Sequence, residues 1–258
     1  GVDVKVRRFG YQLEHKFSDD FVLVSRLQDT HQDFDLHISS PNGLTYASGA
    51  ASDSPKPEML FFASRVLRPE DTLSGDHYMR LNFATGEVRH KLSVGFNHTN
   101  DDQRQTQYSG DFVRVPVYSS TPYNFQDLRE RATTLSLTSA LGQRQRGIYA
   151  QDMMTYEKWN LLLNWRRTSY STPAITSTYY GTPENFVFQD AAMKIYHTSP
   201  GAGLVYQLND ETSLYASYSE GFQPNTSLAC SGGFVQPMQT HNREIGAKFD
   251  LFDSKFTL

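Results

Sequence analysis

The chain has 258 residues, with 24 Lys and Arg against 28 Asp and Glu and a formal net charge of −4, so it lacks the basic excess that a nucleic-acid partner requires. Aromatic residues reach 13%, with 15 Tyr and 17 Phe, charged residues stay at 20%, and no run of about 18 apolar residues marks a membrane-spanning helix. The opening GVDVKVRRFGYQLEHKF has no basic start followed by an apolar stretch, so it reads either as the start of a cytoplasmic protein or as a piece of a longer chain.

Period two organises the chain from its first strand onward. Phe9, Tyr11, Leu13, His15 and Phe17 alternate with Gly10, Gln12, Glu14 and Lys16, and Ser18-Asp19-Asp20 turns the chain into FVLVSRL. A long polar segment from 39 to 73 contains one apolar run, EMLFFASRVLR at 58–68. Met79, Leu81 and Phe83 then alternate with Tyr78, Arg80 and Asn82, and after Thr85-Gly86-Glu87 the set Leu92, Val94 and Phe96 alternates with Ser93, Gly95 and Asn97. Gly86 supplies the positive φ that a tight hairpin wants.

The second long segment, 101 to 144, includes YNFQDLRERATTLSL at 123–137, read as an amphipathic turn in a surface loop. Trp159, Leu161, Leu163 and Trp165 alternate with Asn160, Leu162 and Asn164 before a third long segment at 171–193. Leu204, Tyr206 and Leu208 precede Asn209-Asp210-Glu211, and Leu214, Ala216 and Tyr218 follow it. After a fourth long segment at 225–241, Ile245, Ala247, Phe249 and Leu251 alternate with Glu244, Gly246, Lys248 and Asp250, and KFTL at 255–258 begins another strand.

Short turns and long loops therefore take turns along the chain. In an up-and-down barrel successive connections fall at opposite ends, which puts all the short turns on one side and all the long loops on the other, as in outer-membrane barrels. The same parity makes 58–68 a strand extending above the membrane, not a further crossing. A soluble barrel also alternates, but its inward face is packed with apolar side chains. Here one face carries Lys, Asp, Glu, Asn and Ser, and aromatic residues close the apolar rows. The expected fold is all-β: an antiparallel up-and-down transmembrane β-barrel, present as an incomplete arc of about nine or ten strands with pattern running to both ends of the chain.

Catalytic signatures are missing: no G-x-S-x-G, no phosphate-cradling glycine loop and no Cys-x-x-Cys. Cys230 is alone. His31, Asp33, Asp35 and His37 would share one face of a strand, and a solvated polar rim is the commoner explanation of such a set than a metal site. His90 reads as an interfacial or turn-packing residue. No enzyme is expected.

Four stretches in order, NFATGEVRHKLSVGFNHT (82–99), GIYAQDMMTYEKWNLLLNWR (147–166), SPGAGLVYQLNDETSLYASYSEGFQPN (199–225) and REIGAKFDLFDSKFTL (243–258), resemble the barrel of TonB-dependent ferric-siderophore receptors. The resemblance implies a barrel of roughly 22 strands in the bacterial outer membrane, with residues 1–258 as part of it and the plug domain, signal peptide and C-terminal strands lying outside this sequence. It implies import of a ferric siderophore, with iron carried in the ligand and no cofactor of the protein's own. The implied partners are outer-membrane lipid and the TonB complex through the plug, for a receptor that is monomeric at full length. A receptor for haem, cobalamin or a glycan, or a structural or adhesive barrel, is the alternative. Because siderophores offer rings to stack on and often negative charge, the implied ligand-binding residues are Tyr108, Phe112, Arg114, Tyr118, Tyr123 and Phe125 in the second long segment, with Tyr179 and Tyr180 in the third. The competing reading is that these aromatics pack loops against one another.

Overall fold

In a computed structural model of the chain, the described residues are 1–46, 57–118, 130–181, 184–225, 235–251 and 256–257. They form β1 (Val2–Ser18), β2 (Phe21–Tyr46), β3 (Pro57–Thr85), β4 (Val88–Ser109), β5 (Val113–Pro116), β6 (Thr134–Tyr156), β7 (Trp159–Thr172), β8 (Ile175–Tyr179), β9 (Phe186–Asp190), β10 (Met193–Asn209), β11 (Thr212–Gln223), β12 (Met238–Leu251) and β13 (Phe256–Thr257). Ten of them follow one another across one sheet in the order β1-β2-β3-β4-β6-β7-β10-β11-β12-β13. The other three prolong a neighbour. β5 continues β4 along β3, β8 continues β7 along β6, and β9 pairs with β8 before leading into β10. Pro173, with no N–H for the ladder, sits at the break between β7 and β8. Every pairing is antiparallel and chain neighbours are sheet neighbours, as an up-and-down barrel requires. The arc does not close, and β1 is exposed along its whole length.

Asp19-Asp20, Gly86-Glu87, Glu157-Lys158 and Asp210-Glu211 are tight turns at one end of the sheet. Gly86 has φ +61° with nothing within 4 Å of a Cβ built on it, so its requirement is purely conformational. Gly86→Ala is therefore expected to lower the unfolding free energy of the full-length barrel by about 1 kcal/mol, read from urea titrations in lipid vesicles; no change would mean that the turn relaxes to another type.

At the other end the strands run further than the sequence pattern announces. Spanning the hydrocarbon takes roughly 9–11 tilted residues, whereas β2 has 26 and β3 has 29. Residues 39–46, 69–73, 101–109 and 134–144, expected as loop, continue β2, β3, β4 and β6. The reason is that a sheet wet on both faces keeps its backbone ladder without any binary pattern in its side chains. EMLFFASRVLR lies in the upper part of β3, the strand extension that parity demanded. In YNFQDLRERATTLSL, Thr134–Leu137 are strand, not turn, and 123–129 fall outside the described residues.

Two unlike faces result. On one, β6, β7 and β10 stack the rungs Tyr156–Trp159–Tyr206, Met154–Leu161–Leu204, Asp152–Leu163–Ala202 and Ala150–Trp165–Pro200. Trp159 and Tyr206 close this band near the turns, their ring centroids 4.3 Å apart, in the place of an interfacial girdle. Asp152, the acid within the band, is held by His90 Nδ1 at 2.8 Å, and Phe83 stacks on that imidazole at 4.5 Å. His90 is thus a packing residue close to a turn.

The opposite face is polar, and its side chains lean together across intervening strands. Tyr149 Oη on β6 donates to Asp76 on β3 at 2.8 Å, passing over Gly95 of β4. Arg166 on β7 donates to Asn97 on β4 at 2.9 Å, passing over Gly147 of β6. Such convergence marks the concave, inner side of the arc, where a cavity of about 620 Å³ is lined by Arg8, Arg26, Asp76, Asn97, Gln145 and Arg166.

Candidate functional site

Above the apolar band, strand parity decides which loop-end side chains face inward. Phe34 lies opposite Arg68, whose guanidinium carbon sits 4.5 Å from the ring centroid. Phe62 pairs with Ser40 and meets Phe112 at 5.5 Å between centroids. Through Val66, Gln107 and Leu137 the same face passes to Tyr179, and from Tyr179 to Phe186, 6.2 Å away between centroids. Phe188 stands two residues along from Phe186 on that face. The inner wall of the upper sheet therefore carries two aromatic pairs, Phe62/Phe112 and Tyr179/Phe186, with Phe34 and Phe188 beside them.

These rings are open to solvent. Phe112 is 54% exposed, Tyr179 47% and Phe186 60%, which leaves area free to stack against a ligand. Basic groups on the same wall already have partners: Arg114 reaches Glu58 at 3.7 Å, and Arg68 lies over Phe34. The wall is aromatic first and cationic second.

Of the residues singled out from the sequence, Phe112, Arg114 and Tyr179 lie on this inner wall. Tyr108 lies on the opposite face, packed with Ala63, Ala132, Phe61 and Val113. Tyr180 bonds Thr138, Oη to Oγ1 at 3.3 Å, and its amide donates to Ser136 at 3.0 Å, so it fastens β8 to β6. Tyr118 follows β5 and is 82% exposed. Tyr123 and Phe125, like Cys230, lie outside the described residues. Phe34, Phe62, Phe186 and Phe188 were not singled out. Counting even positions of β3 back from the Gly86 turn would have found Phe62, and Phe186-Val187-Phe188 shows period two.

The set His31, Asp33, Asp35 and His37 lies above the band on the outer face and splits into two clamps. His31 Nδ1 is 2.6 Å from Asp71 and its Nε2 3.2 Å from Asp33, and the bond to Asp71 raises its pKa. Arg65 grips Asp35 through two bonds of 2.9 and 2.6 Å, which holds that carboxyl below the usual carboxylate range, and His37 stands 3.1 Å from it. Among the described residues, no three His, Cys, Asp or Glu side chains are grouped to hold a metal ion.

Residues 2–258 match the family described as TonB dependent receptor-like, beta-barrel. Among curated proteins, the chain is 23% identical over 252 residues to the ferrioxamine B receptor of Salmonella typhimurium, covering 96% of this chain and 32% of that protein. It is 22% identical over 254 residues to the ferrichrome outer membrane transporter/phage receptor of Escherichia coli, covering 93% and 33%. The chain thus spans about a third of the length of these relatives. Among solved structures, the closed form of the ferric-catecholate import receptor Fiu of Escherichia coli superposes with TM-score 0.77 at 17% identity, covering 99% of this chain and 40% of that one. The ferripyoverdine receptor of Pseudomonas aeruginosa superposes with TM-score 0.73 at 21% identity, covering 98% and 31%. Both structures share its fold.

Proposed function

The chain belongs to the TonB dependent receptor-like β-barrels, receptors and transporters of the outer membrane and not enzymes, and from that premise we propose that it forms part of the wall of a receptor that takes up a ferric siderophore. The carrying observation is the inner aromatic wall above the apolar band, with Phe62/Phe112 at one end and Tyr179/Phe186 at the other. Flat, exposed rings on rigid strands stack against a chelate's planar groups at small entropic cost, and Arg68 and Arg114 add positive charge beside them. Iron enters as cargo within the ligand. Energy would come from TonB, engaged by a part of the receptor beyond this chain, and a full-length barrel that closes on itself needs no second copy.

Binding of ferrioxamine B, ferrichrome and a ferric tricatecholate to the full-length receptor tests this reading. Phe112→Ala and Tyr179→Ala are each expected to weaken the chelate that binds by about two- to tenfold, whereas Tyr108→Ala, on the outer face, leaves affinity unchanged. Unaltered affinity in both inner-wall variants, or a loss confined to Tyr108→Ala, would refute the assignment of this wall.

A further inference from the structure

The aromatic inner wall stands over acids more than over bases. Two residues along β3 from Arg68, Glu70 faces the same side between Gln32 and Gln103, and two residues along β9 from Phe188, Asp190 does so opposite Ile175. Asp101 follows lower down, where the Thr72 hydroxyl donates to it at 3.1 Å. Among the described strand residues of this wall, the cations are Arg68, which lies over the Phe34 ring, Arg114, which reaches Glu58, and Arg8, which enters only at the height of Asp101 and three strands away from it. Neither Glu70 nor Asp190 has a Lys or Arg at ion-pair distance among the described residues. Asp190 is further distinguished by its Oδ1, which is shut off from solvent and has no hydrogen-bond donor among the described residues.

Charge of this sign sorts iron chelates. Three catecholate groups, each doubly negative, leave iron(III) in a trianion, whereas three hydroxamates, each singly negative, neutralise it. A trianion lowered onto this wall would meet carboxylates just below the rings, and the faces of Phe112, Tyr179 and Phe186 repel anions as they attract cations. A neutral chelate meets neither repulsion. A positive arm on it gains twice, from the ring faces and from Asp190, whose enclosed carboxylate oxygen leaves that charge short of a donor. We propose that the inner wall selects a ferric trihydroxamate bearing a free ammonium arm, with Asp190 as the residue that receives the ammonium. The inference rests on the uptake reading above and names the class of its substrate.

Equilibrium binding to the full-length receptor tests the proposal with three probes: ferrioxamine B, which ends in a free amine, the same chelate acetylated on that amine, and a ferric tricatecholate. Ferrioxamine B is expected to bind about tenfold more tightly than its acetylated form and more tightly still than the tricatecholate, with the preference shrinking as salt is raised. Asp190→Asn should erase the preference between the two hydroxamates by weakening ferrioxamine B alone, and unchanged affinity for the acetylated form reports that the variant is folded. Asp190→Glu, which moves the carboxylate without removing it, stands in should the first variant fail to fold, and is expected to reduce the preference. Asp29→Asn, on the outer face of β2, leaves all three affinities as they are. Equal binding of the two hydroxamates, tightest binding of the tricatecholate, or a preference unchanged in the folded Asp190 variant overturns the charge selection and leaves the uptake reading standing. Failure of all three chelates to bind would overturn the uptake reading and this inference with it.

Discussion

Ala216→Arg is expected to destabilise the full-length barrel by roughly 2–4 kcal/mol, while Ser217→Arg, one residue along the same strand, costs far less. Ala216 is exposed on the outer face of β11, flanked in register by Leu204 of β10 and Ile245 of β12, so an arginine there would stand among apolar neighbours near mid-membrane. Ser217 points to the inner face between Gly203 and Glu244, where a guanidinium finds both room and a carboxylate. Leu163 and Asn164 offer the same contrast in weaker form. Asp152 is the register partner of Leu163 and would receive an arginine placed there, which shrinks its cost. Folding free energies in lipid vesicles decide the matter. Equal costs at 216 and 217, or a larger cost at 217, would mean that the apolar rungs pack against protein, and the assignment of lipid to the outer face would fall.

Gly95→Val is expected to cost about 1–3 kcal/mol through overpacking, against little or nothing for Gly203→Val on the same face. A Cβ at Gly95 would lie 2.4 Å from Tyr149 Cζ and 2.8 Å from Tyr78 Cβ. The tyrosine tip can swing away only by giving up its bond to Asp76, and the Tyr78 Cβ is rooted in the backbone and cannot yield. At Gly203 the nearest contact is Leu162 Cβ at 3.8 Å, so valine fits and brings a better strand propensity. Urea titrations of the two variants give the difference, and restoring room with Tyr149→Phe should not rescue Gly95→Val, because Tyr78 still blocks it. Similar stabilities for the two valine variants would show that the inner face repacks freely and that the crossing contacts carry no constraint.

Much of this architecture was legible in the chain. Period two within β1, β3, β4, β7, β11 and β12 determined which residues share a face, because successive side chains on a strand point to opposite sides. The spacing of Asp19-Asp20, Gly86 and Asp210 fixed the up-and-down order, and that order alone turned 58–68 from a possible crossing into an extension of β3. Family motifs carried the reading from a barrel to a receptor. Where sequence reasoning fell short, the pattern it depends on was physically absent. Above the membrane both faces of β2, β3, β4 and β6 are wet, so no alternation recorded that the strands continue, and 39–46 and 134–144 read as loop. Tyr108 and Phe112, four residues apart in one aromatic-rich segment, could not be separated by composition. Only the register, with its shift between Gln107 and Tyr108 and the return of β5 along β3, sends Tyr108 outward and Phe112 inward. The pairing of Phe62 with Phe112 and of Tyr179 with Phe186, and the passage of Tyr149 over Gly95 to Asp76, likewise join residues from different strands. A single sequence records the face each residue takes on its own strand, but the height at which strands meet is set by their hydrogen-bonded register, and that is a property of the folded sheet.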